Sequence, residues 1–155
     1  MNISLKRPSV DTMHSLIKLA QEQHDHEVLA FNPEHSQKAF EYLINTPTHG
    51  DVFLVHVNQD GHEDIAGFVV ICYSFSIEFG GLIAVIDQIF LNKDWRRQGV
   101  GSHVLPMLEE QVKQKNCNAI VLEVNIGNGG AREFYEQFNY IPRRQHCIMS
   151  KRINS

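Results

Sequence analysis

Three strand-like runs follow one another in the middle of the chain and limit the folds that it can adopt. They are VFLVHV from Val52, IAGFVVICY from Ile65 and LIAVIDQIFL from Leu82, and all three are rich in residues that favour strands. The pair Asp60-Gly61 between the first two runs predicts a tight antiparallel hairpin. Because the third run has few polar residues, we expect it to lie inside the sheet.

Helical patterns lie on both sides of these strands. Apolar residues recur at helical spacing over about residues 11–23, 33–46 and 99–115, and again around Phe134. A strand, AIVLEV, separates the last two helices, and a closing strand is predicted near residues 146–151. The order predicts one α/β (α+β) domain over residues 1–155, with a mixed, mostly antiparallel sheet flanked by helices.

The charge and hydropathy of the chain exclude several classes of protein. Fourteen Lys and Arg against eighteen Asp and Glu give a formal charge of −4, which disfavours nonspecific binding to nucleic acid or an anionic membrane. The longest apolar stretch, residues 65–73, is far shorter than the about 20 residues that span a bilayer. Since MNISLKRPSV lacks the apolar core of a signal peptide, we expect a cytoplasmic protein without nucleic-acid or membrane partners.

The cysteines and histidines give no sign of a metal site. The three cysteines form no C-x-x-C pair, so neither a disulfide framework nor a zinc cluster is indicated. His24 and His26 lack a third fixed ligand, and the nine histidines form no HExxH pattern. We therefore expect no metal.

The segment WRRQGVGS, residues 95–102, lies between the third run and a helical pattern. Gly99 and Gly101 let the backbone approach a ligand, and a helix that begins there offers unpaired N–H groups to an anion. Arg96 and Arg97 add positive charge to this turn of an acidic chain. The segment predicts a phosphate or pyrophosphate site; the alternative is a tight turn with solvated arginines.

Two motifs carry a resemblance to a known family. Arg96-x-x-Gly99-x-Gly101, after a strand and before a helix, resembles the acyl-CoA pyrophosphate motif of the GNAT superfamily of N-acetyltransferases. The segment NGGAREFYEQFNY resembles the later motif of that superfamily through its Asn128, Ala131, Phe134 and Tyr135. The resemblance covers roughly residues 82–141. It departs from the pattern where Phe138-Asn139-Tyr140 replaces L-G-F, and Asn tolerates the left-handed conformation of Gly.

The resemblance implies acetyl-CoA as acetyl donor and a set of residues that bind it. The strand that ends in Ile89, Phe90 and Leu91 would part from its neighbour, so that the pantetheine arm pairs with its backbone as an extra strand. The turn would hold the pyrophosphate through Arg96, Arg97, Gln98, Gly99, Val100, Gly101 and Ser102. Asn128 is either a ligand contact or a helix cap, and the two roles are compatible.

Tyr135 matches the general acid that the superfamily uses against the departing thiolate. Because a tyrosine pKa of ~10 exceeds the ~8.5 of a simple thiol, a hydrogen bond to the thiolate describes this role better than full proton donation. The alternative is a core aromatic residue with a satisfied hydroxyl.

Two carboxylates are candidates for the base. Counting by two places Asp87 on one strand face with Ile83, Val85, Ile89 and Leu91. Glu123 shares a face with Ala119, Val121 and Asn125 in the same way, and it matches a base of some N-terminal acetyltransferases. A charged residue at a sheet edge or paired to an arginine is the alternative for each.

The sequence therefore predicts an enzyme that transfers an acetyl group from acetyl-CoA to a primary amine of a small molecule or peptide by direct attack. The alternatives are a catalytically inactive CoA-binding sensor or interaction module of the same fold, and an anion-binding structural protein. Residues 21–35 carry four acidic side chains that favour a cationic acceptor: Glu22, Asp25, Glu27 and Glu34. The oligomeric state, a homodimer included, stays open.

Overall fold

The computed structural model describes residues 1–154 and divides into two compact units, Met1–Leu122 and a smaller one that begins at Glu123. The first unit contains five strands and three α-helices. In chain order these are β1 (Asn2–Lys6), α1 (Met13–Glu27), α2 (Pro33–Asn45), β2 (Gly50–Gln59), β3 (His62–Ser76), β4 (Gly81–Leu91), α3 (Val100–Gln114) and β5 (Ala119–Leu122). The second unit contains α4 (Gly129–Gln137). The single domain over residues 1–155 stays a prediction.

The strands form one sheet in the order β1-β2-β3-β4-β5. The first three pairings are antiparallel, and β4 pairs with β5 in parallel. On one face, Leu54, Phe68 and Phe90 pack with Leu16 of α1 and Phe40 of α2. The residues that alternate with these, among them Val55 and Val69, are equally buried on the other face. The predicted α/β class with a mostly antiparallel sheet is confirmed.

The hairpin and the second helix form where the local signals predict them. Asp60 and Gly61 both have positive φ, 54° and 84°, which a two-residue hairpin turn requires at both positions. The Asn32 Oδ1 accepts a hydrogen bond from the His35 amide at 3.0 Å, and Pro33 begins α2. Both features are decided within four residues, so the sequence alone specifies them.

The structure differs from the sequence-based predictions in three elements. The strand β1 was not predicted, because its five residues alternate too briefly to stand out and depend on pairing with β2. The closing strand near 146–151 is wrong: residues 138–154 form no helix or strand, and Ile148 and Met149 are exposed. The first helix runs on to Glu27, where Val28 ends it in a left-handed conformation (φ 56°).

A β-bulge in β4 overturns the predicted face of Asp87. Val70 pairs with Gln88 and Ile71 pairs with Ile86, so Asp87 has no partner on β3. Since directly paired residues share a face, the bulge reverses the alternation along β4. Ile83 and Val85 therefore lie on the face of Cys72, whereas Ile89 and Leu91 lie on the opposite face.

His56 on β2 gives a pH-dependent contribution to stability. Its side chain is buried, and its Nδ1 lies 3.5 Å from Glu63 Oε1. Burial lowers the pKa of His56, assisted by the positive charge of Lys6. Below the unfolded pKa of about 6.5 the unfolded chain binds more protons than the folded one, so stability falls as the pH falls from there toward the folded pKa.

We expect His56→Gln to reduce this loss of stability at acidic pH. The difference in Tm between pH 7 and pH 5 becomes smaller than in the wild type, by about 2–4 °C for each kcal/mol removed. Thermal unfolding followed by circular dichroism at several pH values measures the difference. Parallel Tm profiles for the two proteins would contradict the role of His56.

Candidate functional site

The outer edge of β4 is open over its last five residues. Its pairing with β5 covers only Ile83 to Ile86, opposite Ala119 to Leu122. Beyond this point β4 continues to Leu91 with β3 on one side, and no strand within residues 1–154 pairs with the other side. An edge of this kind presents unpaired N–H and C=O groups. The residues predicted to receive the pantetheine arm, Ile89, Phe90 and Leu91, lie on it.

The turn after β4 has an unusual backbone. Arg97 has φ 58° and Gly99 has φ 80°. The left-handed region is costly for a residue with a Cβ, and such strain concentrates at functional sites. A Cβ on Gly99 would meet no atom within 4 Å, so the surface above the turn is open to a ligand.

The first turn of α3 begins next to this open surface and has backbone amides without an acceptor inside the helix. Val100 is buried and anchors the turn, whereas Gln98 and Ser102 are exposed. The Ser102 amide donates to the Gly99 carbonyl at 3.1 Å, and the amides of Val100 and Gly101 have no acceptor inside the helix. The arrangement can bind an anion through N–H groups and the positive end of the helix dipole.

Arg96 holds the turn in place. Its Nε donates to the Leu91 carbonyl at 2.7 Å, and its guanidinium lies 4.9 Å from the centre of the Phe90 ring. Its Nη1 lies 3.3 Å from Nε2 of His26 in the last turn of α1. These contacts assign Arg96 a structural task, and its predicted contact with the cofactor stays a prediction.

In the second unit, Asn128 and Tyr135 are held by local contacts. The Asn128 Oδ1 accepts from the Ala131 amide at 3.0 Å, so the helix-cap role is confirmed. Tyr135 is 9% exposed, with its ring centre 5.3 Å from that of Phe134 and 5.6 Å from that of Tyr140. Burial raises the pKa of Tyr135, so its hydroxyl stays protonated at neutral pH.

Both candidate bases are exposed. Asp87 is the bulged residue of β4, and Glu123 follows the last residue of β5. The strand predicted over AIVLEV ends at Leu122, so the face that Glu123 was expected to share with Val121 does not extend to it. The premise of a partly buried carboxylate on an apolar strand face is therefore wrong for both residues.

The structure brings part of the predicted site together. The open edge of β4, the turn and the first turn of α3 are continuous in the first unit, with Asp87 on the same strand. Glu123, Asn128 and Tyr135 belong to the second unit, and their roles remain predictions.

Three buried polar residues of the first unit were not among those predicted from the sequence: Gln23, Asp51 and His56. Gln23 continues the spacing of Leu16, Leu19 and Ala20, which is the signal that could have revealed it. Asp51 precedes the run VFLVHV and carries no such signal.

Within residues 1–154, no helix combines the length and hydropathy needed to cross a bilayer, and no group of three or more His, Cys, Asp or Glu could hold a metal ion.

Solved structures share this fold at low sequence identity. A possible acetyltransferase from Clostridium difficile 630 superposes with a TM-score of 0.80 at 16% identity, over 99% of this chain and 100% of that chain. A predicted acetyltransferase with acetyl-CoA from Clostridium acetobutylicum gives 0.75 at 12% identity, over 96% of each chain. The ribosomal-protein-alanine N-acetyltransferase of Brucella melitensis biovar Abortus 2308 gives 0.68 at 16%, over 97% and 100%.

A comparison with curated protein sequences finds no significant match. The family model described as the acetyltransferase (GNAT) family matches residues 14–140, which include the strand, the turn and the later aromatic motif. The fold of the solved structures agrees with that match. The chain belongs to the acetyltransferase (GNAT) family.

Proposed function

We propose that the protein is an acetyl-CoA-dependent N-acetyltransferase that acts on a primary amine of a small molecule or peptide. The observation that carries this proposal is the open edge of β4, which runs directly into the exposed turn and the free amides of α3. The similar fold of a protein solved with acetyl-CoA and of an N-acetyltransferase supports it.

The chemistry of acetyl-CoA fits these residues. The backbone of Ile89, Phe90 and Leu91 would pair with the amides of the pantetheine arm as an added strand. Residues Arg97 to Ser102 would hold the pyrophosphate, chiefly through the free amides of Val100 and Gly101, with the Arg97 side chain adding positive charge. When bound, acetyl-CoA supplies the thioester that the amine attacks directly.

The protein residues move or hold protons around this attack. A neutral amine is the nucleophile, so Asp87 or Glu123 would accept the proton of the incoming ammonium, directly or through water. Tyr135 keeps its proton because burial raises its pKa. Its hydroxyl would donate a hydrogen bond to the thiolate of the CoA product.

Isothermal titration with acetyl-CoA tests the binding site, with CoA, ADP and inorganic phosphate as controls. We expect micromolar binding that requires the pantetheine arm. If acetyl-CoA binds no more tightly than phosphate, the turn is a general anion site and the proposal fails. Tight acetyl-CoA binding without turnover across a broad panel of amines would indicate the inactive CoA-binding alternative.

Tyr135→Phe is expected to lower kcat about 100-fold while the Kd for acetyl-CoA stays unchanged. The variant removes one hydroxyl and keeps the buried ring, so the ring contacts with Phe134 and Tyr140 remain. Steady-state kinetics and titration measure the two quantities. The control is Tyr140→Phe, which removes the hydroxyl of the neighbouring ring in the same way. An unchanged kcat in Tyr135→Phe would show that the Tyr135 hydroxyl is not the acid of the mechanism.

A further inference from the structure

We propose that Gln23 on α1 is a specificity residue that binds the acceptor, and that this acceptor is a cationic primary amine. The inference rests on the proposed function and names the substrate class of the same site. It comes from a buried side chain that the cofactor does not account for.

The side-chain amide of Gln23 is buried and only half satisfied. The residue is 6% exposed, and its Nε2 lies 3.3 Å from Glu27 Oε1. Its Oε1 is buried and has no hydrogen-bond partner within the part of the chain that the structure describes. A buried acceptor without a donor lowers the stability of the protein, and an arriving N–H group would recover that loss.

Gln23 lies on α1 between the apolar core residues of this helix and His26, which contacts the turn that follows β4. It continues the buried stripe of Leu16, Leu19 and Ala20 along α1, on the face that packs over the sheet. Three residues further along α1, His26 contacts Arg96, and the Arg96 Nε donates a hydrogen bond to the Leu91 carbonyl. Gln23 therefore lies within one helical turn of the residue of α1 that contacts the turn after β4.

The charges around Gln23 select a cationic ligand. Glu27 orients the amide, and Glu22 and Asp25 add negative charge to adjacent faces of the same two turns, where Asp25 accepts a hydrogen bond from Gln21. Arg96, the cation that contacts His26, has its guanidinium engaged by the Leu91 carbonyl and the Phe90 ring. A primary ammonium offers three N–H donors to the amide oxygen and is attracted by the carboxylates.

The neighbouring histidines do not supply the missing donor. The Nδ1 of His24 is 2.8 Å from the Ala20 carbonyl, so it carries the proton that this hydrogen bond requires, and the ring lies 4.9 Å from that of Phe31. The Nε2 of His26 is the acceptor for Arg96. Neither ring is paired with the Gln23 oxygen.

Gln23→Met tests the proposal, because methionine has a similar length and removes the unpaired oxygen. In an acceptor panel of 1,4-diaminobutane, neutral primary amines and anionic amino acids, we expect the variant to raise KM for the diamine at least tenfold. The Kd for acetyl-CoA stays unchanged, and the Tm does not fall, because the loss of an unsatisfied buried polar group is neutral or stabilising.

Gln37→Met is the matched control. Gln37 donates to Glu41 Oε1 at 2.8 Å with the same four-residue spacing, but on the exposed surface of α2. This variant should leave both KM and Kd unchanged. An unchanged diamine KM in Gln23→Met, or a panel in which anionic amino acids are the best acceptors, would overturn the proposal.

Direct titration with 1,4-diaminobutane separates this proposal from the proposed function. Diamine binding that is lost in Gln23→Met supports the acceptor site even if no acetyl transfer is detected. If acetyl transfer occurs to other amines while the wild type neither binds nor acetylates the diamine, the enzyme stands and the cationic acceptor site is rejected.

Discussion

The double variant Arg7→Met/Lys115→Met is expected to lose about 3–5 kcal/mol of unfolding free energy at neutral pH. Asp51 is 2% exposed and lies against Arg7 Nη2 on one oxygen, with Lys115 Nζ 3.7 Å from the other. The two cations follow β1 and α3, so the carboxylate joins segments that are distant in the chain. Without them, a buried negative charge keeps one neutral partner, the hydroxyl of Tyr73 at 2.6 Å.

The loss arises because a buried charge without a counter-charge is more costly than no charge at all. Arg7 and Lys115 are 54% and 40% exposed, so water hydrates them when Asp51 is removed. Asp51→Asn alone should therefore cost less, about 1–2 kcal/mol. Burial and the hydrogen bond to Asp51 raise the pKa of Tyr73, so its hydroxyl remains a donor in each variant.

Urea unfolding of the wild type, the double variant, Asp51→Asn and the triple variant forms a cycle that measures this coupling. We expect Asp51→Asn to restore part of the stability that the double variant loses. If Asp51→Asn lowers the unfolding free energy further in that background, the unpaired charge of Asp51 is not the cause of the loss in the double variant. Methionine keeps most of the apolar stem of each cation, so lost packing contributes little.

Gly67→Ala is expected to destabilise the protein by 3 kcal/mol or more, at or above the upper end of the usual cost of about 1–3 kcal/mol for overpacking. A Cβ on Gly67 would lie 2.0 Å from the Phe90 carbonyl oxygen and 3.0 Å from the Leu91 Cα. Both are backbone atoms of β4, so no rotation of a side chain relieves the contact. The end of β4 has to move away from β3.

The same variant should weaken acetyl-CoA binding, because β4 leads into the turn and Arg96 holds its last carbonyl. Thermal unfolding and isothermal titration measure the two effects. Gly80→Ala is the control: Gly80 has φ 69° and open space around a Cβ, so it costs about 1 kcal/mol from backbone conformation and leaves the Kd unchanged. An equal loss of Tm in both variants would contradict the steric argument.

Features that depend on a few neighbouring residues were predictable from the sequence. The Asp60-Gly61 turn, the Asn32 cap of α2, the Asn128 cap of α4 and the left-handed Asn139 (φ 65°) are of this kind. The turn after β4 belongs here too, since a glycine-rich segment between a strand and a helix specifies an exposed helix start.

Features that depend on pairing between distant segments were not predictable in this way. The face of Asp87 followed from counting along one strand, but the bulge arises from the register of β4 against β3. The short strand β1 exists because β2 offers it an edge, and the predicted closing strand has no pairing among the described residues. The hydrophobic period of one segment contains no information about which other segment pairs with it.

The sequence by itself determined the order of the central strands and helices, the turns between them and the family motifs, because these follow from local conformational preference and periodic burial. Only the tertiary structure decided the open edge of β4, the ion cluster around Asp51 and the unpaired oxygen of Gln23. Each of these depends on which backbone or charged groups from remote parts of the chain come within hydrogen-bond distance. Their energies are set by burial and pairing, which exist only once the chain has folded.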